Sequence, residues 1–148
     1  MRQFFSKPRR LALALPAMLA AFFLFASAAG AAVSLTIGSQ ATLSARVLVT
    51  VPVTFSCGPY DQFQGTMGAS VTVEQASGNQ IATGTGAITN VVCDGTPHLQ
   101  QVGVLATSRP FHGGQAVASA FLSVAAIVGG QFIFESGQAG PQVIAIHG

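Results

Sequence analysis

The stretch VLVTVPVTFSC, residues 47–57, decides the fold class because a Val, Phe or Cys stands at every second position over eleven residues. A period of two residues is the pattern of a β-strand with one buried face. Pro52 cannot donate a ladder hydrogen bond, so it predicts an edge position or a bulge midway. The face predicted to point inward carries Val47, Val49, Val51, Val53, Phe55 and Cys57.

The segments that follow repeat this pattern between turn signals. Further strands are predicted over residues 69–75, 80–86, 87–93, 99–107, 115–128, 131–135 and 143–147. Residues 115–128 are a long apolar run for which a short helix is the alternative, and a strand is preferred because turn signals bracket the run and its neighbours are strands. Loops or turns are predicted over residues 61–68, 77–79, 94–97, 109–114, 129–130 and 137–141. Seven or eight short strands with regular turns and no internal repeat predict one all-β domain, either a sandwich or a small barrel.

The chain begins with the three parts of a secretion signal. Residues 1–10 are basic, residues 11–25 are apolar, and residues 26–32 are small. This order predicts a cleaved signal peptide over residues 1–32 and an exported domain over residues 33–148, located outside the cell or in its envelope. The alternative is an uncleaved anchor, which would make residues 1–32 the sole membrane contact.

Two cysteines, Cys57 and Cys93, both lie in the predicted exported domain. In an exported chain two cysteines most simply form a disulfide, here closing a loop whose cross-link is worth about 4 kcal/mol. The alternative, a reactive thiol, lacks a Cys-x-x-Cys motif.

The charges exclude one class of partner. Residues 33–148 contain two basic side chains, Arg46 and Arg109, against four carboxylates. Two arginines distant in sequence form no basic stripe, so nucleic-acid binding is not expected. No catalytic motif and no metal-ligand spacing of His98, His112 and His147 is present, so neither an enzyme, a metal site nor a cofactor is expected.

The cysteine-bearing strands resemble those of immunoglobulin-like domains. VTFSC (residues 53–57) and ITNVVC (residues 88–93) each end in a cysteine, in the order of that family. VVCDGTPH (residues 91–98) also resembles small exported bacterial domains with that architecture. The resemblance implies an antiparallel β-sandwich of about seven or eight strands with the cysteine pair joining its two sheets. Antibody-type domains are excluded, because the chain has no Trp and carries Val91 where they carry a Tyr.

Recognition by a loop is the function that remains. RPFHGG (residues 109–114) combines Arg109, Phe111 and His112 in a glycine-flanked loop, and Tyr60 and Phe63 mark a second candidate. The alternative for both is an ordinary loop whose aromatic residue packs into the core.

These features predict a non-enzymatic binding protein with an unidentified extracellular or envelope ligand. A fimbria-like or coat subunit that self-associates is the alternative. The apolar run over residues 121–128 would favour association if it lay at an exposed edge. Against assembly by strand exchange, residues 33–44 alternate only weakly and provide no obvious donor strand.

Overall fold

The computed structural model describes residues 33–148, and the predicted signal segment lies outside these residues. The described chain is built from strands and loops, and it contains no helix capable of spanning a membrane. The eight strands are β1 (Ser34–Ile37), β2 (Gln40–Ser44), β3 (Leu48–Ser56), β4 (Gln62–Ser77), β5 (Gln80–Ala87), β6 (His98–Ala106), β7 (Gly114–Val128) and β8 (Gln131–His147).

Seven of these strands close into a barrel. The hydrogen-bonded order β3-β2-β8-β7-β4-β5-β6 returns to β3, because β6 also pairs with β3. The prediction of an immunoglobulin-like sandwich is therefore wrong, since a sandwich leaves two separate sheets and this sheet closes on itself. Every pairing is antiparallel except that of β2 with β8.

The closure depends on residues 33–44, whose weak alternation gave little signal. These residues form β1 and β2, which pair in succession with one edge of β3. The break between them lies beside Pro52, whose carbonyl accepts a hydrogen bond of 2.7 Å from the Gly38 amide. A proline has no amide hydrogen to give a partner strand, so the partner changes from β1 to β2 at this point.

The core occupies the inside of the barrel. On β3 the predicted inward face is confirmed from Val49 to Cys57, whereas Val47 lies before the strand and is exposed. Other strands contribute their own alternate residues to the same core, including Leu35, Ala41, Val71, Val73, Val102, Val104, Leu122, Ile144 and Ile146.

Three predicted boundaries are wrong. Residues 61–68, predicted as a loop, mostly belong to β4, which pairs with β7 through two register shifts. Residues 137–141, predicted as a turn, lie within β8 beside its irregular pairing with β7. Residues 88–97, predicted in part as a strand, are irregular. In the first two segments glycine mimics a turn signal, although irregular pairing also accommodates glycine inside a strand.

The predicted disulfide between Cys57 and Cys93 is confirmed, with the two Cα atoms 4.5 Å apart. It joins the end of β3 to the β5–β6 loop, at one end of the barrel, instead of joining two sheets. We call this end, formed by residues 57–61, 88–97 and 129–130, the disulfide end. The opposite end, formed by residues 45–47, 77–79 and 107–113, is the arginine end.

Candidate functional site

The two arginines of the described chain come together at the arginine end. Arg46 and Arg109 line one open depression of about 290 Å³, with Ser77, Pro110, Phe111 and His112 completing its wall. They come from different connections, Arg46 from the β2–β3 turn and Arg109 from the β6–β7 loop. The antiparallel pairing of Leu48 with Leu105 places these connections side by side.

The backbone of the β2–β3 turn fixes the position of Arg46. The connection contains three residues, 45–47, because Ser44 pairs with Leu48, and Ala45 and Arg46 within it have left-handed φ values of 55° and 61°. This backbone geometry reverses the chain between β2 and β3 and sets the point at which Arg46 leaves the hairpin. The Arg46 carbonyl accepts a hydrogen bond of 2.8 Å from the Phe111 amide, which fastens this turn to the neighbouring loop.

The loop that carries Arg109 is anchored by a core residue. Phe111, predicted as a possible contact residue, is only 1% exposed and packs in the barrel core. The alternative prediction for this loop, an aromatic residue that packs into the core, therefore applies to Phe111. Arg109 and His112 on either side remain exposed, because the chain crosses the barrel mouth at this point.

A buried glutamine of the barrel core holds the same loop through hydrogen bonds to its backbone. Gln75 is 1% exposed and is the one polar side chain among the fully buried residues of the described barrel. Its Nε2 donates to the His112 carbonyl at 2.8 Å, and its Oε1 accepts from the His112 amide at 2.9 Å. The amide group thus satisfies both backbone groups of one loop residue, as a neighbouring strand would.

The His112 ring is held between two carbonyl oxygens. Its Nδ1 lies 2.9 Å from the Gly113 oxygen and its Nε2 lies 3.0 Å from the Ala76 oxygen. A neutral imidazole donates through one nitrogen, whereas the protonated ring donates through both. Both nitrogens are therefore engaged by backbone when the ring is protonated, and the ring forms part of the wall.

The two guanidinium groups have no partner within residues 33–148. No hydrogen bond or ion pair joins either group to another described side chain, and both arginines are exposed. A guanidinium presents five N–H donors in a planar fork and remains charged at every physiological pH. The depression therefore offers two free forks suited to a carboxylate, phosphate or sulfate group.

The second predicted loop lies at the disulfide end, so the structure does not bring it to the arginines. The Tyr60 hydroxyl donates to Glu135 Oε2 at 2.6 Å. Burial, together with this hydrogen bond and the Glu135 charge, raises the pKa of Tyr60 far above its ordinary value. Phe63 lies on β4 and is 40% exposed. Tyr60 therefore acts as an internal tie between the loop and β8.

A polar cluster follows the disulfide. Asp94 Oδ1 accepts from the Thr96 hydroxyl at 2.7 Å and the Thr96 amide at 2.9 Å, and it lies 2.9 Å from His98 Nε2. The Thr96 hydroxyl, then His98, then the Thr96 amide hold the pKa of Asp94 well below its usual range. Across residues 33–148, no three His, Cys, Asp or Glu side chains are grouped to hold a metal ion.

Comparison with known proteins assigns no family. No protein-family model matches the chain, and no curated protein matches it either. The geometry of the arginine end is therefore the basis for a function. Of its residues, sequence reasoning found Arg109 and His112 but missed Arg46, Ser77 and Gln75. For Gln75 a signal existed, since it continues the inward alternation of Val71 and Val73.

Proposed function

We propose that this chain is an exported, non-enzymatic binding protein that recognises an anionic group at the arginine end of its barrel. One observation carries the proposal: Arg46 and Arg109, the two basic side chains of residues 33–148, share one depression and have no internal partner. Unpaired arginines at a common site are a typical arrangement for binding a carboxylate or phosphate through charge-assisted hydrogen bonds.

Export is part of this proposal. The disulfide between Cys57 and Cys93 is consistent with a compartment outside the cytoplasm, because disulfides persist in oxidising surroundings. The basic, apolar and small-residue segments over residues 1–32 supply the matching signal. Recovery of the product from an exporting host, with its first residue determined by mass spectrometry, tests this part directly.

The fixed backbone of the arginine end supports a binding role for the two arginines, as opposed to a chance grouping of two charges. Arg46 is placed by the three-residue turn between β2 and β3, and the Phe111 amide donates to its carbonyl. The Arg109 loop is held by the buried Phe111 ring and the Gln75 amide. Because the backbone that carries both arginines is already ordered, only the two arginine side chains lose conformational entropy when a ligand binds.

The test is a titration of the exported product with acetate, inorganic phosphate and sulfate, followed by nuclear magnetic resonance at low ionic strength. Saturable shifts should centre on the amides of residues 45–47, 109 and 111–113, since Pro110 has no amide proton. Arg46→Gln and Arg109→Gln should each weaken binding by about tenfold, the value of one charge-assisted contact.

The matched control is His98→Gln, which removes an ionisable side chain from the disulfide end. It should leave the anion affinity unchanged, because the two ends lie at opposite mouths of the barrel. Shifts that do not saturate, or equal affinity in the two arginine variants and the parent protein, would contradict an anion site at the arginine end.

A further inference from the structure

Most charged residues of the barrel are segregated by end. Arg46 and Arg109 lie at the arginine end. Three of the four carboxylates lie at or near the disulfide end: Asp94 in the β5–β6 loop, Asp61 before β4, and Glu135 near the start of β8. The remaining carboxylate, Glu74, is the exception, because it lies on β4 opposite Thr83 and Val117, three residues before the end of that strand at the arginine end.

Hydrogen bonds within the disulfide end hold these carboxylates in place. Asp61 Oδ2 accepts from the Gly129 amide at 2.7 Å, and Glu135 accepts from Tyr60. Asp94 projects from a turn, where its low pKa keeps it ionised. One mouth of the barrel thus carries carboxylates that internal hydrogen bonds hold in place. The other carries two guanidinium groups that have no partner within residues 33–148.

Exposed apolar side chains accompany the negative end. Phe132 and Phe134, 56% and 65% exposed, form an edge-to-face pair on β8 with ring centroids 5.0 Å apart. Val92, beside the disulfide, is 48% exposed, and Val47 at the arginine end is 46% exposed. Each mouth therefore combines charge with apolar surface, and burying that surface would add to an electrostatic contact.

We propose that the partner of the arginine end is the disulfide end of a second copy of this chain, so that copies associate head to tail. The inference rests on the proposed function, because it names a protein carboxylate as the anionic group. Charge complementarity favours this partner: free guanidinium groups on one copy meet fixed carboxylates on the next. The two joined surfaces differ, so the contact is heterologous, and its repetition produces an open chain, or a ring where the rotation between copies closes.

The experiment uses product exported from expression of the full chain, with the disulfide intact. Sedimentation velocity over a concentration series gives the association constant at ionic strengths of about 20 mM and about 500 mM, which span weak to nearly complete screening. We expect concentration-dependent dimers and longer chains at low ionic strength, and at least tenfold weaker association, roughly, at high ionic strength.

Charge reversal identifies the two surfaces. Arg46→Glu/Arg109→Glu changes exposed side chains without internal partners, and it should weaken association by at least about tenfold. Asp61→Lys/Asp94→Lys should do the same from the other end. An equal mixture of the two variants should restore association, because the reversed ends complement each other. Gln101→Lys, at an exposed position midway along β6, is the matched control and should associate like the parent protein.

Each outcome decides the inference. A monomer at every concentration and ionic strength overturns it, as does association that persists in Arg46→Glu/Arg109→Glu. If the lysine variant fails to fold, the arginine variant and the salt series still decide. A monomer that binds small anions through its arginines overturns the head-to-tail contact alone, whereas salt-independent association without anion binding overturns the proposed function as well.

Discussion

Replacing Gln75 by leucine tests whether one buried side-chain amide holds the β6–β7 loop, residues 107–113, in place. Gln75→Leu keeps the side-chain size and the burial but removes both polar atoms. The change deprives the His112 amide and carbonyl of partners that lie 2.9 Å and 2.8 Å away. A third contact, from Nε2 to the Gln115 carbonyl, is 3.4 Å long and adds little.

The expected loss of stability follows from these contacts. Each of the two short hydrogen bonds contributes about 1 kcal/mol net, and an unsatisfied, partly buried backbone group costs about 1–3 kcal/mol. Leucine at a buried position recovers part of this through its apolar surface. We therefore expect a decrease of about 2–3 kcal/mol in the free energy of unfolding, or a Tm lower by roughly 8–12 °C for a domain of this size.

Urea denaturation and thermal melting monitored by circular dichroism measure the change. The matched control is Gln64→Leu, because Gln64 is exposed on the same strand and contacts only Gln62, at 3.4 Å. The control should stay within about 0.5 kcal/mol of the parent protein. A loss in Gln75→Leu no larger than in the control would refute the argument that this amide holds the loop.

Three further predictions concern other parts of the barrel. Cys57→Ser/Cys93→Ser should lower the free energy of unfolding by about 4 kcal/mol in urea denaturation, and an unchanged midpoint would count against the role of the cross-link. Tyr60, the chain's only tyrosine, should give no phenolate absorbance in the folded state at pH values slightly above 10, its ordinary pKa, and should titrate normally in urea. Because the pKa of Tyr60 is raised in the folded state, its contribution to the free energy of unfolding is fully present below the unfolded-state pKa. This contribution is lost as the pH rises toward the folded-state pKa, and Tyr60→Phe should remove this pH dependence of stability. Ala45→Asn should stabilise the barrel by about 0.5–1 kcal/mol and Ala45→Val should destabilise it, since the residue has a φ of 55°; equal melting temperatures would refute the turn assignment.

The strands with strict alternation could be predicted from sequence because their period records a single buried face. The inward residues from Val49 to Cys57 were found in this way, whereas β7 was predicted over residues 115–128 from the turn signals that bracket it and from its neighbouring strands. The signal failed where pairing was irregular. Gly65 and Gly68 indicated a loop, yet they accommodate the register shifts through which β4 follows β7.

The closure of the barrel could not be predicted because it depends on pairings between distant segments. β1 and β2 both pair with one edge of β3, and β6 pairs with its other edge. No local sequence pattern shows that one strand has these three partners. Residues 33–44 alternate weakly because a break at Gly38 and Ser39 separates β1 from β2. The resemblance to immunoglobulin-like domains relied on the cysteines, which fit either architecture.

The cysteines nevertheless held information about the site. A disulfide between Cys57 and Cys93 brings the end of β3 close to the chain that enters β6. If the strand after Cys93 runs antiparallel to β3, the two segments extend from the disulfide in the same direction. Arg46 lies eleven residues before Cys57 on one segment, and β6 leads from Cys93 toward Arg109 on the other. The observed pairing of Phe55 with His98 and of Leu48 with Leu105 has this register. The convergence of the two arginines is thus a consequence of the disulfide together with one antiparallel pairing, and the site that we propose for anion binding depends on the same pairing that closes the barrel.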